Sequence, residues 1–200
     1  MTEPAARPPA RVGRPRRSSA GVLADAAAEL FLEQGYAGTT VDDVARRAGV
    51  SRGTFFNYFD SKADTFWVEV DGTLARLPEL LRASRGRPAL EAVGAALVAA
   101  AEGHDPAGVP WALTQGEAMR LGDDGVTCAA TRVAAAQRLA VAHLQAERWD
   151  GDGAGGTVAG PTLVAASVAA FATWARAGVG RPALADLVGQ TAERVVLAFA

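Results

Sequence analysis

A short stretch of the chain, residues 51–59, concentrates side chains that can hydrogen-bond to a nucleic acid. An arginine such as Arg52 can bind the O6 and N7 atoms of guanine through two N–H groups, and an asparagine such as Asn57 can bind the N6 and N7 atoms of adenine. Thr54 and Tyr58 add hydroxyl groups, and no acidic residue interrupts the stretch. This composition favours contact with DNA bases and phosphates over an ordinary solvated surface.

Helix caps predict how this stretch is positioned. Thr40, with Asp43 three residues later, has the features of an N-cap and opens a short helix that ends at Gly49. Ser51 is placed to cap the next helix, which is predicted to continue to Phe59, so about three residues separate the two helices. A turn this short, beginning with glycine, makes the helices cross steeply, as in a helix-turn-helix, whose second helix lies in the major groove of DNA.

The rest of the chain also shows helical patterns, and its many alanines favour an all-α fold. A helix from Ser18 carries apolar residues on one face and ends at Gly35. Ser61 and Asp64 predict a cap for a helix over residues 62–84, which Pro78 should kink or break. Further helices are predicted over residues 88–101, 111–121, 126–149, 161–177 and 182–199, the last two each with a proline in the first turn.

Charge and composition limit the possible classes of protein. Residues 1–62 carry nine basic and seven acidic residues, whereas the remainder carries 11 arginines and 15 acids, so only the front of the chain suits a polyanion. Residues 1–17, with four prolines and five arginines, predict a disordered basic arm that either contacts DNA or is a tail without function. No run approaches the roughly 20 apolar residues of a membrane span, and we expect a cytoplasmic protein.

Residues 19–62, and above all the sequence TTVDDVARRAGVSRGTFFNYFDSK over residues 39–62, closely resemble the N-terminal domain of the TetR (tetracycline repressor) family. The resemblance implies about nine helices, with a three-helix helix-turn-helix domain over residues 18–62 and a helical ligand-binding and dimerisation domain over residues 63–200. It also implies a homodimer that represses transcription from a double-stranded DNA operator until a small-molecule effector releases it.

The resemblance also assigns DNA-binding roles to individual residues. Arg52, Thr54 and Asn57 fall where the family reads base edges, whereas Thr40, Tyr58 and Lys62 fall where it holds phosphates. Phe56 replaces a frequent tyrosine and, without a hydroxyl, can only pack on a sugar or a thymine methyl group. Thr40 and Ser51 are also expected to be caps, and a partly buried core position is the alternative for Tyr58. The full predicted set is Thr40, Arg52, Gly53, Thr54, Phe56, Asn57, Tyr58 and Lys62.

Two further sets are predicted in the C-terminal part, and core packing is the alternative for each. A sensing pocket should be mostly apolar and favour an uncharged or weakly polar effector. Its candidates are Phe66, Trp67, Leu74, Trp111, Gln115, Met119, Cys128 and His143. The apolar residues of the last two helices should pack against a second copy of the chain. Candidates for dimerisation are Val164, Val168, Phe171, Trp174, Leu187 and Val195.

Several motifs typical of enzymes lack the context that they require. Residues 151–156 match G-x-G-x-x-G, and residues 49–53 match G-x-S-x-G, but a helix rather than a strand precedes each. His143 and Glu147 have the spacing of two metal ligands without a third, and His104 is interpreted as turn chemistry. The single cysteine excludes an intrachain disulfide. We therefore expect no catalytic residues, metal or cofactor.

Two alternative functions remain open at this point. The first is a helix-turn-helix protein that binds DNA without responding to a ligand, as an activator or an architectural factor. The second is a helical interaction module that does not bind DNA. The sequence identifies neither an effector nor an operator.

Overall fold

The computed structural model describes residues 19–178 and 180–199, and these ranges contain ten α-helices and one 3-10 helix without a strand. The all-α prediction is confirmed. The count agrees with the expected nine helices if α4 and α5 are taken as one broken helix. The α-helices are α1 (Ser19–Gln34), α2 (Val41–Arg47), α3 (Arg52–Phe56), α4 (Val68–Ala75), α5 (Leu77–Ala83), α6 (Ala89–Glu102), α7 (Trp111–Thr114), α8 (Asp124–Ala146), α9 (Ala159–Arg176) and α10 (Leu184–Ala198), and the 3-10 helix spans Lys62–Trp67. The predicted arm over residues 1–17 lies outside the described residues.

The predicted caps of the helix-turn-helix are confirmed. Thr40 and Asp43 form a reciprocal capping box at α2, in which the Thr40 hydroxyl accepts from the Asp43 N–H at 3.1 Å. Ser51 caps α3 by accepting from the Thr54 N–H at 3.0 Å. The third helix was expected to continue to Phe59 but ends at Phe56. Its end is tightened because the Tyr58 N–H donates to a carbonyl three residues back, at 3.0 Å.

The predicted helix over residues 62–84 is broken, as Pro78 indicated. Because proline lacks an N–H, it is tolerated in the first turn of α5, where Pro78 lies. The sequence pattern did not indicate that residues 62–67 form a 3-10 helix, which Ser61 and Asp64 open with the predicted capping box.

The C-terminal helices differ from the prediction in two places. Helix α7 ends at Thr114, and turns rather than a helix continue to Leu121. Pro161 lies in the first turn of α9 as expected, but Pro182 precedes α10 and its carbonyl accepts from the Trp174 Nε1–H at 2.9 Å. The glycine-rich residues 151–156 lie in the loop between α8 and α9, so no strand precedes the G-x-G-x-x-G motif.

The apolar core of the helix-turn-helix extends beyond residue 62. Phe31 and Phe55 lie at its centre, and Phe66, Met119 and Leu121 complete it from later in the chain. A second core joins α5, α6, α8, α9 and α10, and a third surrounds Trp174 near the start of α10. None of the helices in the described ranges has the length and apolarity needed to cross a membrane.

Candidate nucleic-acid interface

Helix α3 is held from one side only. Phe55 is fully buried, and its ring centroid lies 5.4 Å from that of Phe59, which is also buried. Val44 of α2 is buried in the same core. These apolar contacts fix α3 against α1 and α2, so the remaining residues of α3 face away from the core.

The outward side carries most of the predicted DNA-binding residues. Arg52, Gly53 and Asn57 are exposed, and Thr54 is partly exposed. Phe56 and Tyr58 are 45% and 49% exposed, so Tyr58 is not the core residue considered as its alternative. Exposed aromatic rings beside polar groups are typical of a surface that meets a partner.

Arg52 has only weak ties within the protein. Its guanidinium lies 2.9 Å from the Asp42 carboxylate and 5.2 Å from the centre of the Phe56 ring. Both partners of the ion pair are more than half exposed, and such pairs contribute about 0–1 kcal/mol. Little free energy therefore opposes an exchange of Asp42 for a base or phosphate. Arg47, by contrast, bridges Glu29 and Glu33 of α1.

Gly53 has no need to be glycine within the protein itself. A Cβ atom built there would meet only the Ser51 Oγ, at 3.7 Å, which is an ordinary contact. The backbone at Gly53 is not in the left-handed region. The bare backbone therefore suits the close approach of a partner rather than the packing of α3.

Thr40 and Lys62, both predicted to hold phosphates, already hydrogen-bond to other groups of the protein. The Thr40 hydroxyl donates to the Asp43 carboxylate at 2.6 Å. The bonds from the side chain and backbone of Thr40, with Arg46, lower the pKa of Asp43 to about 2. A phosphate at Thr40 would thus compete with a charged carboxylate.

The Lys62 ammonium lies 2.6 Å from the Tyr36 carbonyl oxygen and 2.8 Å from that of Thr39, and 4.1 Å from the centre of the Tyr36 ring. Partial burial lowers the pKa of Lys62, but both carbonyls and the ring face a cation and favour the ammonium. Two of its three N–H groups therefore fasten the turn between α1 and α2, a role that the sequence did not indicate.

The structure does not bring the eight predicted sensing residues together. An apolar cavity of about 130 Å³ lies among α4, α5, α6, α8, α9 and α10, and only Leu74 of the eight lines it. Phe66 and Trp111 line a cleft beside α1, and Trp67 lines a third cavity. The remaining four lie elsewhere: Met119 is in the core, Gln115 is exposed, and Cys128 and His143 are partly buried in α8.

His104, which the sequence pattern placed in a turn, is one of the polar residues that line the apolar cavity. It is buried, its Nε2–H donates to the Gly108 carbonyl oxygen at 3.0 Å, and its Nδ1 lies 3.0 Å from the Thr73 hydroxyl. Burial lowers the pKa of His104, so its neutral form is favoured. Ser167, also in the wall, donates to the Leu163 carbonyl at 2.9 Å. The polar groups of this cavity are therefore satisfied by the protein.

Two of the predicted dimerisation residues lie in the core of the chain. Val164 and Trp174 are buried within the chain itself, where packing among its own helices covers them. Phe171 is partly buried and lines the apolar cavity. Val168 is 40% exposed and stays a candidate, together with the partly buried Leu187 and Val195.

A polar network joins the segment after the helix-turn-helix to α8. Arg132 donates to both carboxylate oxygens of Asp71, at 2.7 and 2.6 Å, and to Asp64 at 3.1 Å. The Cys128 thiol donates to Asp64 at 3.0 Å. Burial raises the pKa of Cys128 to about 11, so the thiol stays protonated and unreactive at neutral pH. Arg132 lies 61 positions after Asp71 and 68 positions after Asp64 in the chain. No sequence motif spans such distances, so the sequence did not indicate this network.

Comparison with known proteins agrees with this architecture. The sequence model of the bacterial regulatory proteins of the tetR family matches residues 23–66. The chain is 41% identical over 90 residues to the putative mycofactocin biosynthesis transcriptional regulator MftR of Mycobacterium tuberculosis, which is 44% of this chain and 46% of that protein. It is 33% identical over 87 residues to the transcriptional activator FasR of Mycolicibacterium smegmatis, covering 39% and 40% of the two chains. The matches thus span less than half of either relative.

A solved structure extends the likeness over most of the chain. FadR of Thermus thermophilus, a TetR-family transcriptional repressor in complex with lauroyl-CoA, is 26% identical with a TM-score of 0.52, over 88% of this chain and 93% of that one. The helix-turn-helix with its caps, the matched residues and the shared helical fold lead to one conclusion. Residues 23–66 carry the N-terminal domain of the tetR family of bacterial regulatory proteins, and the described helices share the fold of a TetR-family repressor.

Proposed function

We propose that this chain binds DNA through the outward side of α3 and regulates transcription as a dimer in the cytoplasm. The observation that carries the proposal is the exposure of Arg52, Asn57 and Tyr58 on a helix that Phe55 anchors from beneath. The arginine and the amide have the donors and acceptors that read guanine and adenine edges. Thr54, Gly53 and Phe56 lie beside them and complete the contact surface.

Selection of bound fragments from genomic DNA tests this proposal and returns the operator. Asn57→Ala should relax the preference at one base pair, at a cost of about 1–3 kcal/mol on the selected site. Arg52→Ala should weaken binding to the same site, whereas Arg82→Ala, an exposed arginine of α5, should leave it unchanged. Equal effects of Arg52→Ala and Arg82→Ala would contradict the assignment of α3.

A second copy of the chain is the proposed partner of α9 and α10. Val168 and Leu197 are 40% and 68% exposed on these adjacent helices. Apolar side chains of this kind suit an interface in which both copies contribute the same patch, and two α3 helices would then reach half-sites about 34 Å apart. Leu197→Glu should yield monomers in sedimentation, whereas Leu32→Glu, also at an exposed leucine, should not.

The proposed effector is an uncharged, largely apolar group that occupies the cavity beside His104. The polar wall groups Thr73, His104 and Ser167 already have partners, so neither a charge nor a strong polar group would be compensated there. The cavity of about 130 Å³ is close to the roughly 150 Å³ cavity that takes benzene. A single ring or a short acyl chain therefore fits it as it stands.

Thermal shifts with benzene and with uncharged methyl esters of increasing acyl-chain length test the effector proposal, since a ligand of the folded state stabilises by mass action. Short-chain compounds should raise the melting temperature and weaken operator binding. Leu74→Phe fills the cavity and should abolish both effects, whereas Leu32→Phe should not. DNA binding that no acyl or aromatic compound alters would instead favour a ligand-independent regulator.

A further inference from the structure

A separate cavity of about 420 Å³ lies between the 3-10 helix, the segment after α7 and the start of α8. Trp67, Leu113 and Leu121 provide its large apolar side chains, and alanines and glycines provide much of the rest. It shares no lining residue with the apolar cavity beside His104. It is therefore a further place in the described part of the chain where a small molecule could bind.

Trp67, which lines this cavity, carries an unsatisfied hydrogen-bond donor. The indole Nε1–H is buried and has no hydrogen-bond partner among the described residues. A buried donor without an acceptor is unfavourable, and most such groups in folded proteins have a partner. Because the nitrogen is closed to solvent, a guest must displace the wall slightly to reach it.

The lining also limits the charge of a guest. Glu117 is the one charged residue that lines the cavity, and it is exposed. On the other side, the Arg132 guanidinium lies 6.0 Å from the centre of the Trp67 ring but is already bound to Asp64 and Asp71. An anionic guest would be repelled by Glu117, and no cationic side chain lines the cavity to compensate. A neutral guest is therefore favoured.

We propose that the Trp67 cavity is a second ligand site, which takes a small, neutral, largely apolar molecule with one hydrogen-bond acceptor for the Trp67 N–H. Aryl ketones represent this class. The site differs from the proposed effector cavity in its lining residues and its polar group, and its occupation does not depend on whether the chain binds DNA.

The position of the site connects it to the helix-turn-helix. The segment that forms its wall continues to Met119, which is fully buried in the N-terminal core. The Met119 carbonyl accepts from the Tyr36 N–H at 2.7 Å, in the turn between α1 and α2. A guest that shifts this wall therefore acts on a segment bonded directly to the helix-turn-helix.

Two guests of matched shape test the site on the unmodified protein. Acetophenone carries the acceptor, and α-methylstyrene has a CH₂ group in place of the ketone oxygen. With the protein ¹⁵N-labelled, the four tryptophans give separate indole N–H signals, and Trp67→Phe identifies the one that belongs to Trp67. Acetophenone should move this signal and should bind about 5- to 10-fold more tightly than α-methylstyrene.

Substitutions in α8 provide the matched control. Ala129→Leu fills the cavity and should abolish the shift of the Trp67 signal by acetophenone, whereas Ala130→Leu, at the exposed neighbouring position, should retain it. Trp67→Phe keeps an aromatic wall without the donor and should bind both guests equally. The proposal is overturned if acetophenone leaves the Trp67 signal unmoved, if the two guests bind the unmodified protein equally, or if both leucine variants behave alike.

Discussion

Replacement of Gly53 by alanine separates DNA binding from folding more sharply than any other change in α3. A Cβ atom at this position meets only the Ser51 Oγ at 3.7 Å, and the backbone is compatible with alanine. The substitution should therefore stabilise the chain by about 0.4–1 kcal/mol, because alanine reduces the freedom of the unfolded state. For a chain of this size the melting temperature should rise by about 1–4 °C.

The same methyl group should impair binding to DNA. If α3 lies in the major groove with its first turn against the backbone, the added methyl group occupies space that a phosphate or sugar needs. Forcing one such group into a packed contact costs about 1–3 kcal/mol, which weakens binding by about 5- to 150-fold. Fluorescence anisotropy on the selected operator, with circular dichroism for the melting temperature, measures both effects on one sample.

Gly72 offers a matched control for this prediction. It is an exposed glycine inside α4, and a Cβ atom there has nothing within 4 Å. Gly72→Ala should raise the melting temperature without changing the affinity for DNA. If Gly53→Ala binds the operator as tightly as the unmodified protein, or if Gly72→Ala weakens binding equally, the first turn of α3 does not approach the duplex.

Three further changes address other parts of the chain. Lys62→Met should lower the unfolding free energy by about 2 kcal/mol by removing two charge-assisted bonds to carbonyls. It should alter the salt dependence of DNA binding by less than the roughly one unit expected for a lost phosphate contact. Arg132→Met leaves two carboxylates without their cation and should lower the free energy of unfolding by about 2–3 kcal/mol, measured by urea unfolding. This loss is smaller than for a fully buried ion pair because Asp71 is 44% exposed. Desolvation raises the pKa of Asp152, but hydrogen bonds from four backbone N–H groups outweigh it and lower the pKa to about 2. The charged carboxylate therefore stabilises the fold at pH values above the unfolded pKa near 3.9, and this stabilisation is lost as the pH falls toward 2. Asp152→Asn should remove this part of the acid dependence, and a wild-type response to acid would contradict it.

The elements that the sequence predicted well depend on local interactions. Thr40 with Asp43, and Ser61 with Asp64, form caps from residues three positions apart, so their geometry follows from the sequence alone. The outward side of α3 was predictable for the same reason, because Phe55 and Phe59 define its buried side by their spacing. The early end of α3 was not predictable, since aromatic residues continue past Phe56 with the spacing of a helix.

The interior of the C-terminal part depends on contacts between distant residues. Leu74, a predicted sensing residue, lines the apolar cavity, but its partners in the wall, such as Phe171 and Val188, are about a hundred positions later in the chain. Val164 and Trp174 had the apolar pattern of a dimer surface, and only the packing of α9 against α10 and α6 shows that the chain covers them itself. Apolar spacing identifies a buried side of a helix but not what buries it.

Asp64 shows how local and distant interactions meet in one side chain. One carboxylate oxygen accepts from the Ser61 N–H at 2.8 Å and hydroxyl at 2.7 Å, which forms the cap directly after the helix-turn-helix. The other oxygen accepts from Cys128 and Arg132 of α8. Bonds to Ser61, Cys128 and Arg132 lower the pKa of Asp64 despite its burial, so the carboxylate stays charged at neutral pH. Since the two oxygens belong to one rigid group, α8 cannot move far relative to this cap without breaking bonds on one side of it.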